Sequence, residues 1–297
     1  MLLSLFFIVI LVSKVSASAD TVVTFTFDAK ESYCHQRAGD ALKLKGVYGT
    51  FYYAQNIGSN FRLSLNGYKQ LFRDGHEVGG QTVNYLDFVD KAKDKIQDEI
   101  CLNRKYLFDK GFKPTSFAYP YGRYTFVGSV NTIKCGYNSA TNANFFDLRI
   151  NDMDNVQRGE SYNINTFVIQ SKTTFDELMS IVQDALKLST FRRKLLVFRI
   201  YDVCDNNNFN VETLTKFVEW LLQYSYIEIQ RLDKVIGEEL SPIPEEYNDN
   251  LRLLPETKSK LIITGITVAA MIFIIVLFFV TSALRDVIKK LKSKTTP

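Results

Sequence analysis

The residues with chemical potential fall in four short clusters, each at the end of an apolar run. Asp28 closes Thr26-Phe27-Asp28-Ala29-Lys30. Asp74-Gly75-His76-Glu77-Val78-Gly79-Gly80-Gln81-Thr82 leads on to Tyr85. Phe117-Ala118-Tyr119-Pro120-Tyr121-Gly122 and Tyr201-Asp202 complete the set. Asp28 supplies a carboxylate, and Gln81, Tyr85, Tyr121 and Tyr201 supply an amide and phenols. Aromatic faces stack on the apolar faces of sugars, while amides and carboxylates take hydroxyls, so this set suits a carbohydrate. The chain has only two histidines, His35 and His76, so a metal would find few nitrogen ligands. His76 reads as a packed structural residue and His35 as a solvated one. With Asp28 and Asp87 they are the only nearby candidates for a relocated metal site.

These clusters need elements to position them. Strand-like runs lie at Val22–Phe27, Val47–Tyr53, Glu77–Gly79, Thr115–Ala118, Phe145–Ile150, Thr166–Ile169, Lys194–Tyr201 and Ile227–Gln230. Amphipathic stretches lie between them, at Gln36–Lys45, Ser64–Asp74, Phe88–Lys110, Tyr124–Lys134, Thr174–Leu188 and Val211–Tyr224. Such alternation implies an α/β fold, a parallel sheet with covering helices, and its length suits one barrel-like domain. In that architecture functional residues sit just past the C-terminal ends of strands, where the four clusters are.

At those positions the sequence resembles the polysaccharide deacetylases, the NodB-homology group that includes chitin deacetylases. The resemblance runs from about Val22 to Leu232 and rests on the ordered motifs quoted above. It implies a distorted (β/α) barrel of the polysaccharide deacetylase type and removal of N-acetyl groups from chitin-like sugars with zinc or another divalent metal. The family's first motif is T-F-D-D-G. Asp28 matches its base, whereas Ala29 stands at the metal-binding Asp and Lys30 at the Gly. The two metal-binding His positions of the second motif fall on Gln81 and Tyr85. The Arg of the third motif, R-x-P-Y, is Ala118, while Tyr121, whose backbone N–H serves the oxyanion, is present. The general-acid His falls on Tyr201, and the fourth motif is not placed.

The family's ligand positions Ala29, Gln81 and Tyr85 therefore hold no metal ligand, and no cofactor is expected. Metal-bound water has a pKa near ~7 against ~15.7 for free water, so losing the metal removes roughly 12 kcal/mol of help in forming hydroxide. A carboxylate base contributes about 3–5 kcal/mol, which leaves Asp28 unable to compensate. The expectation is a catalytically degenerate relative. Asp28 is then vestigial and Tyr121 keeps the family's oxyanion place. Gln81, Tyr85, Tyr121 and Tyr201 either line a sugar-binding pocket or fill the lost metal space, with Lys30 paired to Asp28 as a further way to close it. Chitin-like polysaccharide is the expected partner. The rival readings are a divergent active deacetylase with other ligands and a protein-interaction or structural wall component on a deacetylase scaffold.

The ends and the charge place the protein. Of 36 basic and 32 acidic residues, the last 13 residues hold Arg285, Lys289, Lys290, Lys292 and Lys294 against Asp286. Lys14, Lys258 and Lys260 flank apolar segments, which leaves 28 basic and 31 acidic residues in Asp20–Thr257. A slightly acidic domain excludes a nucleic-acid partner. Leu2–Val12 followed by small residues reads as a signal peptide over 1–19. Leu261–Leu284 has no charge and spans about 36 Å as a helix, enough for one transmembrane crossing. The basic tail 285–297 then faces the cytoplasm, giving a single-pass type I cell-surface protein. The expected domain is 20–236, with a Pro-containing juxtamembrane stalk at 237–260. Cys34, Cys101, Cys135 and Cys204 all lie in the outward part and suggest two disulfides. Three pairings are possible. Cys34 and Cys204 both follow strand ends on the presumed functional face, which favours Cys34–Cys204 with Cys101–Cys135. No N-x-[ST] sequon occurs.

Overall fold

The computed structural model describes residues 20–29, 33–57, 62–143, 150–188, 193–204 and 208–247. The expected signal peptide, membrane span and basic tail lie outside these residues. Among the described residues no helix is long and apolar enough to cross a membrane.

Two strands form the axis, β1 (Thr21–Phe27) and β8 (Lys194–Ile200), each a seven-residue run buried throughout. They pair in parallel over their whole length, from Thr21↔Lys194 to Phe27↔Ile200. β2 (Thr50–Tyr53), β3 (Glu77–Gly80), β4 (Ser116–Ala118) and β5 (Ser139–Thr141) extend the sheet on one side. β9 (Ile227–Ile229) pairs with the start of β1, and β6 (Asn151–Asp152) and β7 (Phe167–Ile169) pair with β8. Every pairing is parallel except β6 with β8. A single parallel bridge, Thr141↔Ile164, carries the β5 edge across to the segment that becomes β7, so the curved sheet closes into a distorted barrel.

Among the described residues seven α-helices of five residues or more pack around it: α1 (His35–Leu44), α2 (Leu65–Arg73), α3 (Lys93–Asp109), α4 (Phe126–Lys134), α5 (Phe175–Lys187), α6 (Val211–Leu221) and α7 (Leu232–Ile236). Their starts are capped by local chemistry. Ser64 accepts from Gly67 N–H, Thr125 from Gly128 N–H and Asn210 from Thr213 N–H, and Thr174 with Glu177 makes a capping box. Strand alternation then decides what faces inward. Val23, Phe25 and Phe27 join the main core under the helices, while Thr24, Thr26 and Asp28 lie on the opposite face, toward the barrel interior.

The structure corrects several boundaries. The helix expected at Phe88–Lys110 begins only at Lys93. Positive φ at Thr82, Tyr85 and Asp90 turns the preceding chain into a loop over the barrel mouth, with Phe88 buried beneath it. The expected strand Phe145–Ile150 falls mostly outside the described residues, and the strand that follows it, β6, runs antiparallel. β5 is an unexpected strand, because Ser-Ala-Thr carries no apolar signal of its own.

Residues 237–247, expected as free stalk, belong to the domain. Asn138 Nδ2 donates to the carbonyls of Gly237 (2.9 Å) and Glu239 (2.8 Å), and Arg104 Nη2 to that of Ser241 (2.9 Å). Tyr247 is buried, and its hydroxyl donates to Asp98 (2.7 Å). This strap lies over the Cys101–Cys135 disulfide and clusters with its flanking residues. A stalk starts no earlier than residue 248.

The barrel floor holds a buried carboxyl, Glu77. It accepts from Thr50 Oγ1 (2.7 Å), Ser116 Oγ (2.6 Å), Thr115 Oγ1 (3.1 Å) and the Asp233 N–H (3.2 Å). Burial first, and then the Asp233 carboxylate, push its pKa from the ordinary 4.5 up to about 7, while the Ser116, Thr50 and Asp233 donors pull the other way. A carboxyl whose folded pKa is raised stabilises the fold below its unfolded pKa and loses that contribution as pH rises through the folded value. Urea unfolding of the native chain and Glu77→Gln should therefore show a stability difference that moves against the native chain by on the order of 3 kcal/mol between about pH 4.5 and pH 7. A difference that stays constant across that window would remove this account of the floor.

Candidate functional site

Each of the four clusters sits directly after a strand, and the sheet brings them together at one end. Asp28 follows β1, Gln81 follows β3, Tyr119–Tyr121 follows β4 and Tyr201 follows β8. Asp28 is fully buried and its carboxylate is surrounded by donors. Gln81 Nε2 donates to Oδ2 (2.7 Å), and the Tyr85 hydroxyl donates to Oδ1 (2.7 Å). Arg199, from the last turn of β8, donates to Oδ2 through both Nη2 (2.5 Å) and Nε (3.2 Å). Its Nη2 also donates to the Tyr119 carbonyl (3.0 Å), and its guanidinium lies 5.3 Å from the Tyr201 ring centroid.

Register explains why Arg199 arrives there. Arg199 is paired with Thr26, the residue two before Asp28 on the same inward face. The side chains of Arg199 and Asp28 are both inaccessible to solvent, so their contact is a buried ion pair. Burial alone would lower the guanidinium pKa. The charge of Asp28, followed by the phenols of Tyr201 and Tyr85, reverses this and raises it. Burial, and then Asp28, drive the Tyr85 phenol far above its ordinary range, so it stays a donor. Burial likewise raises Tyr201.

Gln81 and Tyr85, expected as possible sugar contacts, are closed off. Both ends of the Gln81 amide are occupied, because its Oε1 accepts from the Ala29 N–H (2.8 Å) while Nε2 serves Asp28. Tyr85 is buried and packs edge-on against Tyr121 at 4.9 Å. Tyr85 (φ 54°) and Tyr121 (φ 57°) are both held in the left-handed region, unfavourable for bulky residues, by this packing and by the bond to Asp28. Tyr121 is 43% exposed and Tyr201 partly so. Lys30 lies outside the described residues. The cation on Asp28 is Arg199, which sequence reasoning missed. Its signal was a lone charged residue inside the apolar run Lys-Leu-Leu-Val-Phe-Arg-Ile.

The other expected candidates are dispersed. His35 is the first residue of α1 and fully buried, not solvated. Its ring packs edge-on to Phe27 at 5.3 Å, and burial pushes its pKa down to about 4 against the pull of Asp28 and Asp202. His76 is structural. Nδ1 accepts from the Gly49 N–H (3.1 Å), which leaves the proton on Nε2 to donate to the Gly39 carbonyl (3.1 Å). Burial pushes it to about 4 also. Asp87 is paired with Arg123 (2.5 Å). Among the described residues one trio of potential metal ligands converges, Cys34, Asp202 and Cys204, but its two sulfurs are bonded to each other.

The fold is a distorted α/β barrel whose candidate site lies just after the strand ends. Residues 16–138 match the family model described as polysaccharide deacetylase. No curated protein matches the sequence. Among solved structures, it resembles the Xyl-CE4 domain of a multidomain xylanase from the hindgut metagenome of Trinervitermes trinervoides. The TM-score is 0.50 at 14% identity, covering 74% of this chain and 90% of that one. It also resembles a CE4 family pseudoenzyme from Bacillus anthracis, with a TM-score of 0.50 at 13% identity, covering 75% of this chain and 67% of that one. At these identities the likeness shows the fold.

The buried pair predicts an asymmetric cost. Removing one partner of a buried ion pair leaves an uncompensated charge, at about 3–5 kcal/mol. Arg199→Met should therefore destabilise the domain by that much in urea unfolding, whereas Arg199→Met with Asp28→Asn should recover a large part of the loss. Additive losses in the double variant would mean that the two residues are not energetically coupled.

Proposed function

We propose that this protein is a cell-surface, membrane-anchored member of the polysaccharide deacetylase family that lacks metal-dependent deacetylase activity and binds chitin-like, N-acetylated polysaccharide. One observation carries the loss of activity: the Arg199 guanidinium sits on Asp28, in the middle of the family's metal and base positions. The residues there do not fit a divalent metal. Ala29 offers a methyl group, the Gln81 carbonyl oxygen already accepts from a backbone N–H, and the Tyr85 phenol donates to Asp28. A fixed positive charge at hydrogen-bond distance from the remaining carboxylate repels a second cation. The same contact removes Asp28 as a base, since its oxygens are engaged by Gln81, Tyr85 and Arg199.

Support for the carbohydrate partner comes from the family, whose members act on acetylated polysaccharides, while the anchor rests on the uncharged run 261–284 with its basic flank. Purified full-length protein in detergent should carry far less than one zinc per chain after dialysis. It should also release no acetate from N-acetylated chitooligosaccharides above a no-protein control, with or without added zinc or cobalt. Near-stoichiometric metal together with acetate release would overturn the reading in favour of a divergent active deacetylase.

A further inference from the structure

With the barrel mouth closed, a polysaccharide needs another place on the domain. A cleft of about 520 Å³ opens on the flank of the barrel, between α4 with its preceding loop and the segment 150–165. Asp28, Gln81, Tyr85, Tyr121 and Arg199 are not among its lining residues. Its volume lies within the ~300–1,000 Å³ typical of small-molecule sites.

The lining has a definite chemistry. Tyr124 and Tyr162 contribute rings, and Asn155, Asn163 and Asn165 contribute amides. The rings are fixed in place. The Tyr162 hydroxyl donates to the Tyr137 carbonyl (2.8 Å), and its own carbonyl accepts from the Tyr119 hydroxyl (2.9 Å). Tyr124 packs edge-on against Tyr119 at 5.6 Å. The amides are positioned yet uncommitted. Among the described residues the side chains of Asn155 and Asn165 make no hydrogen bond, and Asn163 uses only its oxygen, accepting from Asn142 Nδ2 (2.5 Å). The loop carrying Asn165 is held by Asn151, whose Oδ1 accepts from the Asn165 N–H (2.8 Å) and whose Nδ2 donates to the Asn165 carbonyl (3.0 Å). Asn163 and Asn165 flank Ile164, whose bridge to Thr141 ties the site to the barrel wall.

Free amides donate and accept in pairs, as hydroxyl and acetamido groups require, and held aromatic rings offer faces to pyranose rings. The charged groups among the described lining residues are the carboxylates Asp152 and Glu160, which disfavour an anionic ligand and accept from hydroxyls. Sites fixed before binding lose less conformational freedom when the ligand arrives. We propose that this flank cleft is the carbohydrate-binding site of the protein and that it holds a short segment of a neutral, N-acetylated glycan.

The inference rests on the reading above that the protein binds polysaccharide, and the test separates the two. Full-length protein in detergent micelles is titrated with N-acetylated chitohexaose by calorimetry and applied to chitin beads. Asn155→Ala with Tyr124→Ala removes one free amide and one exposed ring, and neither side chain makes a hydrogen bond within the fold. This variant should weaken binding at least tenfold with unchanged thermal unfolding, whereas Tyr121→Ala at the mouth should bind like the native chain. If the native chain binds and only Tyr121→Ala weakens it, the glycan sits at the mouth and the cleft proposal falls alone. If the native chain binds neither chitohexaose nor the beads, the polysaccharide reading falls and the cleft with it. Hydrogen exchange supplies a second readout independent of the variants. Chitohexaose should slow exchange within 150–165, and protection confined to the loops after β1, β3 and β4 would overturn the assignment.

Discussion

A guanidinium and a carboxylate, Arg199 and Asp28, share a space that water does not reach, and the mouth of the barrel is organised around that fact. Neither charge is tolerable there alone, because desolvation of a single ion costs several kcal/mol. Together they satisfy each other, and the remaining valences recruit the neighbours. Gln81 and Tyr85 take the free lone pairs of Asp28, and the Tyr119 carbonyl takes a guanidinium proton. Four strand ends and the loop over the mouth are thereby joined. The left-handed backbone at Tyr85 accompanies the bond of its phenol to Asp28, and Tyr121, also left-handed, packs edge-on against the Tyr85 ring.

The arrangement draws its partners for Asp28 from within the protein. A metal site presents lone pairs to a cation and keeps a coordination position for water or substrate. Here the Asp28 carboxylate, the Gln81 amide and the Tyr85 hydroxyl are already engaged within the protein, while Arg199 Nη1 is buried without a partner among the described residues. The positive charge beside Asp28 is that of a guanidinium, which offers donors and no coordination position. Amides that take no partner among the described residues lie elsewhere, on the flank between α4 and the segment 150–165.

Stability is distributed along the molecule in a matching way. The long parallel pair β1–β8 and the apolar residues beneath the helices form the main core. One disulfide ties the start of α1 to the chain after β8 beside the mouth, and the other joins α3 to the end of α4 under the strap 237–247. The floor relies on hydroxyl donors around Glu77 and on Arg231, which donates to both oxygens of Asp233 (2.7 and 2.9 Å). Mouth and floor each bury a carboxylate close to an arginine, but the mouth pair is in direct contact. On the floor Arg231 serves Asp233, and Glu77 depends on neutral donors.

Much of this was legible in the sequence. The alternation of apolar runs and amphipathic stretches identified the barrel class. Asp28, Gln81, Tyr85, Tyr121 and Tyr201 could be placed at strand ends because that position follows from chain order alone. Ala29, Gln81 and Tyr85, at the positions where the resemblance puts metal ligands, were visible as residue types. β5 was not legible, because three small residues become a strand only when a curved sheet offers them an edge. The docking of 237–247 was hidden for a similar reason, since prolines and acidic residues read as linker until Arg104 and Asn138 supply partners from distant helices and strands. Arg199 is the sharpest case. Its residue type and its strand were apparent, but its partner lies 171 positions away, and only the Thr26↔Arg199 register puts both side chains on one inward face. Local sequence determines which groups are available and at which strand ends they stand. Which of them meet, and whether they meet each other or a ligand, is decided by register and curvature, which exist only once the sheet has closed.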